Sequence, residues 1–255
     1  ELRTMLYLGV LLFTTGVGIL IYKNIDTIGH QVIIALLTLL MAGCFWYVNK
    51  KRLPYSNAEV QSPGTLHDYM LLLGALLFAI IIGYLQFQYS IFGEQWSLGA
   101  LIPALAYFPL AYRFDHRGVL SHGITGLASW LGLTVSPVAM LKESIFPKTE
   151  LVNSGLLFGA VMMAVGLLLE RRSIKKHFTF TYMSFGFLVF GVASLGGLFS
   201  LDRSFIFFIL TIALCALGIY YARKEQSFFF LLMAALFGYI SVTKLLSEAI
   251  SDFAF

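Results

Sequence analysis

The chain has 255 residues, 59% of them hydrophobic and only 12% charged, with a mean hydropathy of +0.85. A soluble domain carries about 25% charged residues, so this composition excludes a water-covered globule and requires a surface that faces lipid. Net charge +4 and a pI near 9.0 would suit nucleic acid, but the basic residues sit in short segments between apolar runs, which is a membrane pattern and not a nucleic-acid one.

A bilayer core about 30 Å thick needs roughly 20 apolar residues as a helix, and backbone N–H groups without water must bond inside their own segment. In chain order, nine such segments are expected: 4–22, 31–48, 69–85, 96–112, 119–141, 152–169, 178–200, 205–221 and 228–245. The fold class is therefore all-α, a polytopic transmembrane helical bundle forming one membrane domain. The sequence opens on Glu1 and not on methionine, so an upstream segment is expected. The first apolar run lacks the features of a removable signal.

The first span carries Gly9 and Gly18. The third repeats it: "LYLGVLLFTTGVGIL" from Leu6 parallels "LLLGALLFAIIIGYL" from Leu71, which brings Gly74 and Gly83 into register with the first pair. The repeat units cover residues 6–52 and 71–117. A weaker copy, "SGLLFGAVMMAVGLLL", starts at Ser154. Each unit holds two spans, so successive copies enter the membrane in the same direction, unlike the inverted repeats of many transporters. The four glycines read as helix-packing positions, as do Gly16, Gly186, Gly191 and Gly196. Between spans two and three lies the longest connection, "NKKRLPYSNAEVQSPGTLHD", whose Pro, Ser, Asn and Gly mark a linker.

Span four contains Pro103 and Pro109, each of which frees a carbonyl four residues back; a kink there could line a transport path or serve packing alone. After it comes "YRFDHRG". Asp115 is expected to cap the fifth helix, with Arg113 and Arg117 reaching phosphates and Tyr112 in an interfacial belt. The competing reading makes Asp115 and His116 an acid–base pair with Arg113 as an anion clamp. The other copy of the repeat favours the turn, since "YVNKKR" keeps Tyr and Arg without the Asp–His pair. His67, His116, His122 and His177 all lie at span ends on one side, but lack a metal-binding spacing; Cys44 and Cys215 lie within apolar runs as packing residues. Neither a metal nor a cofactor is expected.

Span six ends in "ERRSIKKH". Arg171, Arg172, Lys175 and Lys176 are expected to meet anionic headgroups or a docking partner, at roughly 1 kcal/mol per basic residue. Lys244, Glu248 and Asp252 recur every four residues and read as an i,i+4 ladder at the end of span nine.

Twelve of the 17 basic residues fall on the side holding Arg3, Lys50–Arg52, Arg113, Arg117 and the 171–176 and 223–224 clusters. The other side holds Lys23, Lys142, Lys148, Arg203 and Lys244. This asymmetry places the N-terminus in the cytoplasm and the C-terminus outside.

The helix-pair pattern, "GALLFAIIIGYLQFQY" and "AYRFDHRGVLSHGITGLASWLGL" resemble the bacterial membrane family called domain of unknown function 2157, mainly over the first 140 residues. The resemblance implies a bacterial inner-membrane protein with a cytoplasmic segment before the first span, and implies no activity.

No expected span carries Asp, Glu, His, Lys or Arg near its centre, where ion-coupled transporters usually keep one. Thr14, Thr15, Thr38, Ser129, Thr134, Ser184, Ser194 and Thr211 offer hydroxyls within or between helices instead. Three functions are compatible with this pattern. The foremost is a non-enzymatic membrane subunit or scaffold with a protein partner. The others are an uncoupled permease or lipid-handling transporter near span four, and a membrane transferase using the Asp115/His116 loop.

Overall fold

The structure, a computed structural model, describes residues 2–135, 149–201 and 204–253. Its described residues form nine α-helices: α1 Leu2–Ile28, α2 His30–Lys50, α3 Thr65–Tyr89, α4 Leu98–Phe114, α5 Arg117–Val135, α6 Thr149–Arg172, α7 Thr179–Ser200, α8 Ser204–Lys224 and α9 Phe228–Phe253. They stand where the sequence places the nine apolar segments. Most run a few residues beyond them, because helical hydrogen bonding continues into the polar flanks. Six of these segments are long and apolar enough to cross a bilayer, and Thr4–Leu20 and Leu98–Phe114 are shorter apolar helices. The far end of the fifth expected span, Lys142, Lys148, Arg203 and the Asp252 side chain lie outside the described residues.

The chain divides into two compact units, residues 1–130 and 131–255. In the first unit α3 is central, touching α1, α2 and α4. Ile33, Leu37 and Cys44 of α2 pack on Leu77 and Ile81 of α3. On another face of α3, the buried Tyr107 hydroxyl of α4 donates to the Ala75 carbonyl at 2.6 Å. α2 and α4 are thereby fixed on one apolar helix, α3.

The polar ends close in short corners. Gly29, at φ 82, is the sole residue between α1 and α2, a left-handed conformation glycine adopts at little cost. Between α3 and α4 the buried Gln86 side chain acts as a clamp: its Nε2 donates to the Gly93 carbonyl at 2.9 Å and its Oε1 accepts from the Phe92 N–H at 2.8 Å. Lys50 stacks over the exposed Trp46 ring, and Lys51 over Tyr47, an amphipathic collar of the kind found where helices leave hydrocarbon.

In the second unit α7 is central, against α6, α8 and α9. Here small residues decide the packing. A Cβ on Gly159 of α6 would lie 2.7 Å from the Phe190 backbone nitrogen and 2.8 Å from the Gly186 carbonyl, and one on Gly155 would meet the Ala193 Cβ at 2.8 Å. The stretch that reads in the sequence as a third repeat copy is thus also a small-xxx-small ridge, Gly155 and Gly159, which lets two backbones approach closely. On other faces of α7, Gly191 receives the Phe237 ring of α9 and Gly197 the Phe207 ring of α8. Ser194 of α7 donates to the Phe207 carbonyl at 3.0 Å and shares a hydrogen bond with Thr211 of α8 at 2.7 Å.

The glycines paired by the repeat differ in their surroundings. Only Gly74 is tightly packed: a Cβ there would stand 3.3 Å from Cys44 and Phe45 of α2. Among the described residues, a Cβ on Gly9, Gly18 or Gly83 would meet nothing within 4 Å, and one on Gly16 is as open. Of the four paired glycines, Gly74 is the one that stands at a close crossing among these residues. Gly159→Ala should lower the thermal unfolding midpoint in detergent, with a loss of about 1–3 kcal/mol. Gly9→Ala should not lower it. Equal losses in circular-dichroism melts of the two variants would refute this assignment of the tight crossing.

Candidate functional site

The polar residues of the first unit converge at the corner between α4 and α5. α4 runs on through Pro103 and Pro109 and ends when Asp115 takes a left-handed conformation, φ 58 and ψ 42, one that Asp tolerates better than most residues. Its N–H and that of His116 both bond to the Ala111 carbonyl, so the turn reverses with its backbone donors satisfied. His116 then opens α5. Its Nδ1 accepts the Val119 N–H at 3.0 Å, three residues on, and its carbonyl accepts from Leu120.

His116 supplies an acceptor at the start of α5, a role usually filled by Ser, Thr, Asp or Asn. The Asp115 carboxylate accepts the Val60 N–H at 2.5 Å, from the long connection. Its neighbours are directed likewise: Arg113 donates to the Leu53 carbonyl at 3.1 Å, and Arg117 to Glu59 at 2.9 Å. The three charged side chains of "YRFDHRG" fasten residues 53–60 onto the corner. Reading each residue singly misses this, because its partners lie 55 to 60 positions away.

Beneath the fastened segment is a cavity of about 480 Å³. Its walls are the Tyr7 ring of α1, residues 59–62 and Gly64 of the connection, Thr65 and Asp68 of α3, and Asp115, His116 and Arg117. Tyr7 packs edge-on against Tyr69 at 5.3 Å between ring centroids and lies 6.4 Å from the His116 ring. A Cβ on Gly118 would meet His116 Cε1 at 2.9 Å, so the absence of a side chain there is what lets the imidazole lie against the first turn of α5.

Of the four histidines grouped by the sequence on one side, the structure brings together three. His67 and His122 lie close enough to His116 to act on its charge, as does Asp68, whereas His177 belongs to the second unit. Burial pushes the His116 imidazole below its ordinary pKa of 6.5, with Asp68 opposing that shift and the two other histidines adding to it. At neutral pH the ring is uncharged, and the Val119 bond assigns its proton to Nε2. Among the described residues no group of three or more His, Cys, Asp or Glu is placed to hold a metal ion.

The transport candidate beside span four looks different. Pro103 and Ala104 are buried, and a Cβ on Gly126 of α5 would sit 2.8 Å from the Ala104 Cβ. Gly123 fits closely against Tyr107, so this face of α4 is closed by α5; Pro109 is exposed.

In the second unit, Arg171, Arg172 and Lys176 are exposed but Lys175 is only 1% exposed, in a left-handed turn. Lys175 is thereby removed from the expected headgroup-facing set. Glu170, not singled out in the sequence, accepts from Lys224 and from the Tyr221 hydroxyl, joining the ends of α6 and α8. Lys244 and Glu248 form the expected i,i+4 pair at 2.9 Å.

Residues 1–120 match the family described as a predicted membrane protein, domain of unknown function 2157. This match and the apolar helices define a multi-pass membrane protein. No curated protein and no solved structure matches the chain.

Because folded His116 binds a proton less readily than the unfolded chain, folding stability should decline as pH falls below 6.5, until the folded ring takes its proton too. Chemical denaturation across this pH range would check the sign, and His116→Ala should flatten the dependence while removing about 1–2 kcal/mol at neutral pH. Arg117→Ala, breaking a pair more than half exposed on both sides, should shift stability by less than about 0.5 kcal/mol.

Proposed function

We propose that this chain is a non-enzymatic subunit or scaffold of a bacterial inner membrane. In this reading its N-terminus lies in the cytoplasm and its C-terminus outside, so that the fastened connection and the α4–α5 corner form a cytoplasmic docking face. The observation that carries it is the employment of the corner's charged groups. Arg113, Asp115 and Arg117 each hold a part of residues 53–60. His116 spends Nδ1 on the Val119 N–H and its Nε2 has no hydrogen-bond partner among the described residues, so neither ring nitrogen is bonded to Asp115 as an acid–base pair would need. A transferase would leave such groups available to a substrate, whereas a scaffold uses them to fix the shape of a surface. The close fit of Ala104 against Gly126 argues in the same direction against a permease path beside Pro103.

The exposed Arg171, Arg172 and Lys176 fit contact with anionic lipid headgroups of the cytoplasmic leaflet. The occupant of the docking face is a protein, either a cytoplasmic segment of the same polypeptide or a separate subunit.

Crosslinking in native membranes followed by purification should yield one partner at fixed stoichiometry. Paired Asp115→Gly and Arg113→Ala substitutions, which remove the acceptor for Val60 and the donor to Leu53, should release it while the chain stays folded. Solute flux by the purified chain in liposomes would replace the scaffold reading with the permease, and turnover abolished by Asp115→Asn would replace it with the transferase.

A further inference from the structure

Under the corner, polar atoms collect without hydrogen bonds. His116 is 4% exposed, and its Nε2, both ring nitrogens of His67 and Nε2 of His122 are buried with no hydrogen-bond partner among the described residues. A buried polar atom left unsatisfied costs about 1–3 kcal/mol, and several in one place mark a site held ready for another protonation state or for water. The groups that face the His116 ring come from every element around it: Tyr7 from α1, His67 and Asp68 from α3, and His122 from α5. Glu59, Asp115 and Arg117 complete the charged lining of the adjoining cavity.

The neutral ring does one thing that a charged ring cannot. Its Nδ1 accepts the Val119 N–H, and an imidazolium has no acceptor. A proton arriving from water through the cavity would occupy Nδ1 and set two N–H donors against each other. The ring occupies the space that a side chain at position 118 would need, a Cβ there standing 2.9 Å from its Cε1. Asp115 and Arg117, the residues on either side of it in the chain, are the ones that bind Val60 and Glu59.

We propose that His116 is a proton-operated latch: uptake of one proton at Nδ1 breaks the cap on α5, unwinds the first turn of that helix, and frees the connection fastened by Asp115 and Arg117. Asp68 tunes the latch, because its carboxylate favours the charged ring. His67 and His122 oppose it, because a cation on His116 is harder to place beside further protonatable rings. The latch is shut at neutral pH and opens on acidification. Its consequence for partner docking rests on the scaffold reading; the latch itself is a property of the purified chain.

The test is amide hydrogen exchange at Val60 and Val119 in the full chain in detergent, from about pH 7.5 to about pH 5, the range in which a histidine changes charge. His116→Asn is the reference, since its side-chain oxygen can cap the helix but does not titrate. At about pH 5 both amides of the wild type should exchange at least tenfold faster than those of the variant, and at about pH 7.5 the two proteins should agree. Asp68→Asn retains the histidine and should move the opening to lower pH, which keeps the test open if His116→Asn does not fold. Wild-type amides that stay protected down to about pH 5, or an Asp68→Asn protein that opens at unchanged pH, would overturn the proposal. Neither readout involves a partner, so failure to capture one leaves the latch intact, and failure of the latch leaves the docking face to be judged by its own experiment.

Discussion

Peptide groups inside hydrocarbon must find their hydrogen bonds along their own helix, and the rest of this molecule follows from how the helices end. Once each rod is satisfied internally, four N–H groups at one end and four carbonyls at the other still need partners. The chain meets that need at each corner with what stands nearest. Gln86 folds back over the α3–α4 turn, Asp115 reverses α4 in a left-handed conformation, and His116 accepts from the first turn of α5. Polar chemistry is concentrated at the ends because it has work to do there that the middles do not require.

The two units meet their interior requirements by different means. The first joins its central helix to its neighbours with branched apolar residues and one buried tyrosine hydroxyl, leaving Gly9, Gly18 and Gly83 uncrowded. The second brings backbones close at Gly155, Gly159 and Gly186 and seats aromatic rings on Gly191 and Gly197. Lipid gives two apolar helices little reason to associate, so contact area and shape must do so, and the second arrangement supplies both. Polar loop contacts carry more of the organisation in the first unit, which is also the part that matches a known family.

Among the described residues, the helices and their placement are legible in the sequence because apolar length is a one-dimensional property. The same holds for Lys244 and Glu248, four residues apart on one helix. The candidate site is only half legible. "YRFDHRG" stands out as a cluster of charge, yet its meaning lies in Leu53, Glu59 and Val60, which periodicity cannot connect to it. His116 looks like half of a catalytic pair because Asp precedes it, whereas backbone geometry turns the two side chains to separate tasks. Glycine identity is a weak guide as well. Gly74 and Gly83 are equally regular in the repeat, but only Gly74 faces a neighbour, and nothing along one helix tells which face another will cover.

The placement of α3 and α7 at the centre of their units bears on how the protein is made. Ile33, Leu37 and Cys44 have their counterparts on α3, so α1 and α2 emerge from the ribosome with an unfinished side. The second unit extends that wait to its last helix: Gly191 of α7 is filled by Phe237 of α9. Biogenesis therefore cannot proceed as independent hairpins settling one after another. Each half must stay incomplete until a later segment is inserted, and a nascent chain halted before α9 would present an aromatic-sized notch to the surrounding lipid.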